Sequence, residues 1–132
     1  DGYWSRGLGD VYKRQIINVS SWSGNHVSLL SGVSYTSSKH ALNAMTETIN
    51  MKYCHLGIRA TALCPGEVAT GILDKRPKKL SSEQKNKMLQ PDDLGQTIVF
   101  LCQMPKHVCI NELTISPTWH RRYIADLGIE KL

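Results

Sequence analysis

The sequence lacks the spacings that metal and dithiol sites require. Its four cysteines, Cys54, Cys64, Cys102 and Cys109, form no Cys-x-x-Cys pair, and its five histidines form no pair at ligand spacing. Zinc and disulfide-exchange sites depend on such spacings, so neither a bound metal nor a redox disulfide is predicted. Unpaired thiols suit a reducing compartment, which favours a cytoplasmic location.

A long apolar run is also missing. No stretch approaches the roughly 20 apolar residues of a membrane-spanning helix, so no membrane partner is predicted. The 132 residues are 41% hydrophobic and 20% charged, which is typical of one folded globular unit. The net charge is +5, and its densest basic run, between positions 75 and 87, contains no aromatic residue. This pattern favours a solvated helical face, and nucleic acid is not an expected partner.

What the sequence does contain is a tyrosine and a lysine four positions apart, in the segment YTSSK from Tyr35 to Lys39. Two residues at this spacing share one face of a helix. A phenol is a weak acid near neutral pH, and a neighbouring ammonium group favours its ionised form, so the pair can serve as a general acid and base. Alone the spacing is weak support, because it recurs by chance about once in every few chains of this size. An ordinary surface lysine on an amphipathic helix is the commoner reason for it.

The neighbouring segments change that balance. An apolar strand from Ile16 ends in the two serines Ser20 and Ser21, and a second apolar strand, 58–64, leads into the segment PGEVAT at 65–70. In this order the segments resemble the C-terminal half of a short-chain dehydrogenase/reductase, over about residues 16–118. The resemblance implies an α/β fold. It would be the C-terminal half of a Rossmann-like doubly wound parallel sheet, with about three strands and intervening helices.

The resemblance also implies a role for each matching residue. Tyr35 would exchange a proton with the substrate oxygen, Lys39 would assist the tyrosine and bind the cofactor ribose, and Ser21 would hold the substrate oxygen. Asn18 and Ser20 match strand positions for which structural roles are expected. Further residues would contact the nicotinamide end of the cofactor, namely Pro65, Gly66, Val68 and Thr70, in addition to Tyr35 and Lys39.

The implied activity is hydride transfer between NAD or NADP and a small-molecule carbonyl or secondary alcohol, in a parent enzyme expected to be a homo-oligomer. Trp22, His26, Leu29 and the tail around Trp119 are expected near the substrate, with a packing role equally open for Trp22 and Trp119. Two alternatives remain open. The chain could be a non-catalytic Rossmann-like oligomerisation or ligand-sensing module, or an inert fragment. A binding module does not need a serine, a tyrosine and a lysine together, so the enzyme is favoured.

No strand followed by a glycine-rich turn and a helix, the unit that binds a pyrophosphate, is found in the sequence. We therefore expect the second half of an enzyme whose cofactor-binding half is missing, inactive by itself. Residues 10–15, DVYKRQ, match one reading frame of a common sequencing-library transposon end. Residues 1–15 are accordingly predicted to be a non-native leader that packs no strand or helix on the core, although a divergent linker is possible. Residues 16–132 would then be a partial domain, with a tail at 119–132.

The local patterns predict strands at 16–21, 58–64 and 109–115, with a helix over 35–55 and another opening at Pro91. A polar excursion at 71–89 is expected to form a substrate lid, and the tail has helical potential from Arg121 to Leu127. The helix over 35–55 is predicted to bury one broad face, formed by Ala41, Leu42, Ala44, Met45, Thr48, Ile49 and Lys52.

Overall fold

The computed structural model describes residues 14–27, 29–75 and 79–129. Three parallel strands form one sheet in the order β1-β2-β3. Their bounds are Gln15–Val19 for β1, Arg59–Pro65 for β2 and Glu112–Ile115 for β3. The helices are α1 (Val33–Tyr53), α2 (Ser82–Asn86), α3 (Pro91–Gln103) and α4 (Arg121–Asp126). Along the chain, α1 connects β1 to β2, and α2 and α3 connect β2 to β3. Helices thus connect parallel strands, and the predicted α/β architecture is confirmed.

The core is centred on β2, which is buried along its whole length. Strands β1 and β3 pair with its two edges, and α1 lies against it. Such a strand reads as a continuous apolar run, which is why it could be predicted to within one residue. Its largest fully buried side chain is that of Leu63, and Leu101 of α3 is buried equally.

Helix α1 meets the sheet through polar side chains rather than through the predicted apolar face. The Asn50 side chain donates to the carbonyl of Ala60 (2.8 Å) and accepts from its amide (2.6 Å). One turn earlier, Asn18 donates to Thr46 at 2.9 Å. Of the seven residues predicted to be buried, Leu42 and Ile49 are half-buried and the other five are exposed. The prediction was wrong because hydrogen bonds to the sheet decide which side of this helix faces inward.

Helix α3 begins as predicted. Pro91 occupies its first turn, and the Asp93 carboxylate accepts from the amide of Gln90 at 2.7 Å. At its other end the buried Arg59 guanidinium donates to three carbonyls in the segment that follows α3, at 2.6–3.0 Å. The prediction for β3 was too long at its start. Its ladder reaches back only to Asn111, whose carbonyl accepts from Ala62, because the chain before it bends around Arg59.

The first strand also differs from its prediction at both ends. It ends at Val19, and Ser21 instead caps the 3₁₀ turn Trp22–Gly24. It begins at Gln15, whose side chain donates to the carbonyl of Leu101 (3.1 Å) and accepts from Arg59 (2.9 Å). The expectation that residues 1–15 contribute nothing to the packed fold is therefore wrong at Gln15. Residues 1–13, to which most of that prediction refers, lie outside the described residues.

Candidate active site

The predicted site residues lie where the carboxyl ends of the strands meet. Ser21 follows β1, Pro65 is the last residue of β2, and Tyr35 lies in the first turn of α1, two residues after it begins. In open parallel α/β sheets this edge is the place where ligands bind.

Tyr35 and Lys39 share one face of α1. The Lys39 ammonium nitrogen lies 5.7 Å from the centre of the Tyr35 ring, within range of a cation–π interaction. It also donates to the carbonyl of Val19 at 3.1 Å, which ties the first turns of α1 to the end of β1. Tyr35 is 46% exposed, so its ring can be reached from solution.

Ser21 is fixed by the turn that it caps. Its hydroxyl oxygen accepts from the amide of Ser23 at 3.1 Å, and no hydrogen bond joins it to Tyr35 among those of the described residues. The preceding Ser20 is buried and donates to the carbonyl of Lys39 at 3.3 Å. Ser20 and Asn18 thus make internal hydrogen bonds, as their expected structural roles require.

Gly24 allows this turn to pack closely. A Cβ atom at Gly24 would come within 2.6 Å of the Ser20 hydroxyl and 2.8 Å of the Asn43 amide nitrogen. Asn43 in turn donates to Asn25 at 2.6 Å. The turn that Ser21 caps, residues 21–24, is here called the serine turn. A side chain at Gly24 would push it away from α1.

The segment 65–70, here called the PG loop, carries Pro65, Gly66, Val68 and Thr70. It is held on two sides by backbone hydrogen bonds. Gly66 donates to Ile115 (2.7 Å), while Leu89 donates to Glu67 (3.1 Å) and accepts from Ala69 (2.7 Å). The loop begins at the end of β2 and so lies on the same edge of the sheet as Ser21.

A cluster of aromatic and ionic contacts joins the C-terminal segment to this edge. The rings of Trp22 and His26 stack at 4.3 Å, and that of His120 lies 4.6 Å from Trp22 and 4.4 Å from Tyr123. The next residue, Arg121, forms a two-pronged ion pair with Glu67 of the PG loop. Sequence reasoning placed Trp22, His26 and the tail around Trp119 near the substrate, and it included Glu67 only as a member of the PGEVAT segment. It did not predict the contacts of His120 and Arg121, because these contacts join residues that are far apart in the sequence.

Burial shifts the pKa of two titratable groups near the site. Desolvation lowers the pKa of His120, an effect that neighbouring cationic groups reinforce and Glu67 opposes. Its ring is therefore neutral at neutral pH. Burial likewise raises the pKa of the Cys64 thiol above its ordinary value. Since a thiol reacts as its thiolate, Cys64 is not a candidate nucleophile.

One groove lies apart from Ser21, Tyr35 and Lys39, none of which is in its lining. It has a volume of about 860 Å³ and lies between α3, β3 and the segment that follows β3, with Phe100, Leu113 and Trp119 in its lining.

In the part of the chain that the structure describes, no three His, Cys, Asp or Glu side chains could hold a metal ion. None of the described helices is long and apolar enough to cross a bilayer.

Comparison with known proteins points to one protein family. The family model described as short chain dehydrogenase matches residues 10–81. Dehydrogenase/reductase SDR family member 11 of Homo sapiens is 31% identical over 126 residues, covering 89% of this chain and 48% of the human protein. The family-model match includes residues 10–15, which belong to the predicted leader.

Solved structures give the same result. An alcohol dehydrogenase from the archaeon Thermococcus sibiricus, complexed with 5-hydroxy-NADP, superposes with a TM-score of 0.66 at 25% identity, covering 81% of this chain and 43% of its own. A betaketoacyl-[ACP] reductase from Bacteroides thetaiotaomicron has a TM-score of 0.63 at 30% identity, covering 87% and 46%. The chain spans about half the length of the relatives it matches.

Proposed function

The chain belongs to the short-chain dehydrogenase family, and from this membership we propose that its whole protein is an NAD- or NADP-dependent oxidoreductase that interconverts a carbonyl and a secondary alcohol. The observation that carries the proposal is the pairing of Tyr35 with Lys39 on one helix face. This pair lies at the sheet edge that also holds Ser21 and the PG loop.

In the direction of reduction, Tyr35 donates its phenolic proton to the carbonyl oxygen while hydride reaches the carbonyl carbon. Lys39 stabilises the phenolate that remains, through its charge beside the ring. Ser21 uses its hydroxyl oxygen to accept from Ser23, so its own proton is free to bond the substrate oxygen. Oxidation runs through the same groups in reverse, with the phenolate as the base.

The donors available on this edge suit the nicotinamide end of NAD or NADP, the cofactor that would supply or accept the hydride. One of the three Lys39 ammonium donors is used on Val19, which leaves two for ribose hydroxyls. No hydrogen bond within the described residues occupies the hydroxyls of Tyr35 or Thr70. Thr70 would bond the carboxamide, while Pro65, Gly66 and Val68 would approach the ring through their backbone.

We also propose that the protein is a homo-oligomer in the cytoplasm, acting on a small molecule and on no nucleic acid or membrane. Helix α1 leaves the apolar side chains of Val33, Met45 and Met51 exposed, and a second copy packed along the helix would cover them. All four cysteines are free, which suits a reducing compartment.

The proposal is tested by removing the phenolic proton. In the full-length enzyme that contains this sequence, Tyr35→Phe should lose at least about a hundredfold in kcat while NADH or NADPH binding survives, since only the acid is removed. Tyr53→Phe is a matched control, because Tyr53 lies on the same helix with Lys52 5.4 Å from its ring. Near-normal turnover by Tyr35→Phe on a panel of ketones would refute the assigned role.

A further inference from the structure

The C-terminal segment 116–123 contacts both the PG loop and the turn that Ser21 caps. Ser116 and Pro117 pack so closely against Gly66 that a Cβ atom at Gly66 would lie 3.3 Å from atoms of both residues. The Trp119 ring lies 5.0 Å from the ammonium of Lys87, at the end of the excursion that follows β2. The segment therefore contacts both the PG loop and the end of the excursion.

Two consecutive residues make the most specific of these contacts. His120 is only 6% exposed and packs on Trp22, the residue next to Ser21. Arg121 forms its ion pair with Glu67 in the middle of the PG loop, and both side chains are partly buried. Neighbouring positions in the chain thus hold the serine turn and the PG loop at once.

The ion pair is better suited to fixing orientation than a simple charge contact. Arg121 uses Nε and one terminal nitrogen on the two oxygens of Glu67, and a planar fork of this kind restricts rotation as well as distance. The backbone of Glu67 is simultaneously bonded to Leu89. Its side chain and its main chain are therefore held by different parts of the molecule.

We propose that Arg121 is a positioning residue for the nicotinamide: through Glu67 it fixes the PG loop in the conformation that receives the cofactor. The proposal rests on the proposed function, because it assigns Arg121 a task only if the loop binds a nicotinamide. It goes beyond that function by making a residue of the C-terminal segment, outside the motifs that carry the family resemblance, a determinant of cofactor affinity.

Kinetics of the full-length enzyme supply the first test. Arg121→Met should raise the KM for NADH or NADPH about tenfold, the effect of losing one charge-assisted pair, with the KM for the carbonyl substrate unchanged. Arg121→Lys should recover only part of this, since an ammonium group cannot reproduce the fork. Glu67→Gln, nearly isosteric, should move the same constant. A purely structural role would lower the amount of active enzyme and leave the cofactor KM unchanged, which would overturn the proposal.

Amide hydrogen exchange supplies a second test that needs no activity. In the 132-residue chain, Arg121→Met should speed exchange at Ala69 and Leu89, whose amides hold the PG loop. Arg122→Met is the control, because it removes an equal charge from the neighbouring exposed position. Unchanged exchange at both amides would overturn the proposal. If the full-length enzyme shows no redox activity but exchange does increase, the proposed function fails while the contact of Arg121 with the loop stands.

Discussion

Arg59 is a buried cation whose charge is stabilised by hydrogen bonds to backbone carbonyl groups. Its side chain is 8% exposed, and the ion pairs of the described residues do not include it. Instead it donates to the carbonyls of Met104, Pro105 and Val108 and to the side chain of Gln15. The carbonyl end of a helix carries partial negative charge, so the end of α3 compensates part of the cost of burying the guanidinium.

Replacing this cation should be costly. Arg59→Met leaves three backbone carbonyls and the side-chain oxygen of Gln15 without their donor. We therefore expect a loss of about 3 kcal/mol in the free energy of unfolding. Arg59→Lys should lose less, because an ammonium group can reach only some of the acceptors. The measurement is urea unfolding of the 132-residue chain followed by circular dichroism.

Arg14→Met is the control for this experiment. Arg14 is exposed, and its side chain makes one long hydrogen bond, of 3.4 Å, to Leu56, so the change should stay within about 0.5 kcal/mol. An Arg59→Met midpoint equal to that of Arg14→Met would mean that the carbonyl contacts contribute nothing to stability.

At the scale of elements, local signals were predictable and tertiary choices were not. Helix α3 was predicted from Pro91 and the acidic residues behind it because a helix start depends on neighbours in sequence. The inward face of α1 was missed because Asn43, Thr46 and Asn50 have the spacing of one helix face but the polarity of a surface. Only the sheet that supplies their partners reveals which way they point. The same reason limits the site: the Tyr35 and Lys39 pair is local, whereas Glu67 and Arg121 are 54 residues apart.

The docking of α4 should depend on pH through His120. Desolvation lowers its pKa in the folded chain, so the unfolded chain binds its proton first as the pH falls. The stability due to the neutral ring is therefore complete above the ordinary histidine pKa of about 6.5 and is lost as the pH falls below it. We expect the wild type to lose stability between pH 7.5 and 5.5, by no more than about 1.4 kcal/mol per pH unit.

Urea unfolding at the two pH values measures this loss. His120→Phe keeps an aromatic ring on Trp22 but cannot be protonated, so its stability should change less over the same interval. His107→Gln, at an exposed position, should behave as the wild type does. The pKa of Asp74 is lowered by Lys85, so Asp74 titrates below this interval and does not interfere. Equal losses in the wild type and His120→Phe would exclude His120 as the origin.

For the whole molecule, the important feature is that β1 is an edge strand of the sheet. Within the described residues β1 pairs only with β2, and the apolar side chains of Ile16 and Val19 are 40% and 47% exposed. An apolar edge of this kind can add a strand from another chain. We therefore expect the 132-residue chain, expressed alone, to aggregate as its concentration rises, which light scattering would show. Its unfolding and amide exchange are for this reason measured in dilute solution.

The same reasoning sets an expectation for the isolated chain as a catalyst. Its candidate contacts reach the nicotinamide and its ribose, through Tyr35, Lys39 and the PG loop, whereas no glycine-rich turn in the sequence is suited to the pyrophosphate. Immobilising a ligand costs several kcal/mol, which so few contacts cannot offset. Titration of residues 16–132 with NADH and NADPH, followed by fluorescence, should therefore give no saturation in the micromolar range, and no turnover on ketones. A full-length family member serves as the positive control. Saturable micromolar binding with turnover would mean that these residues form a complete site by themselves.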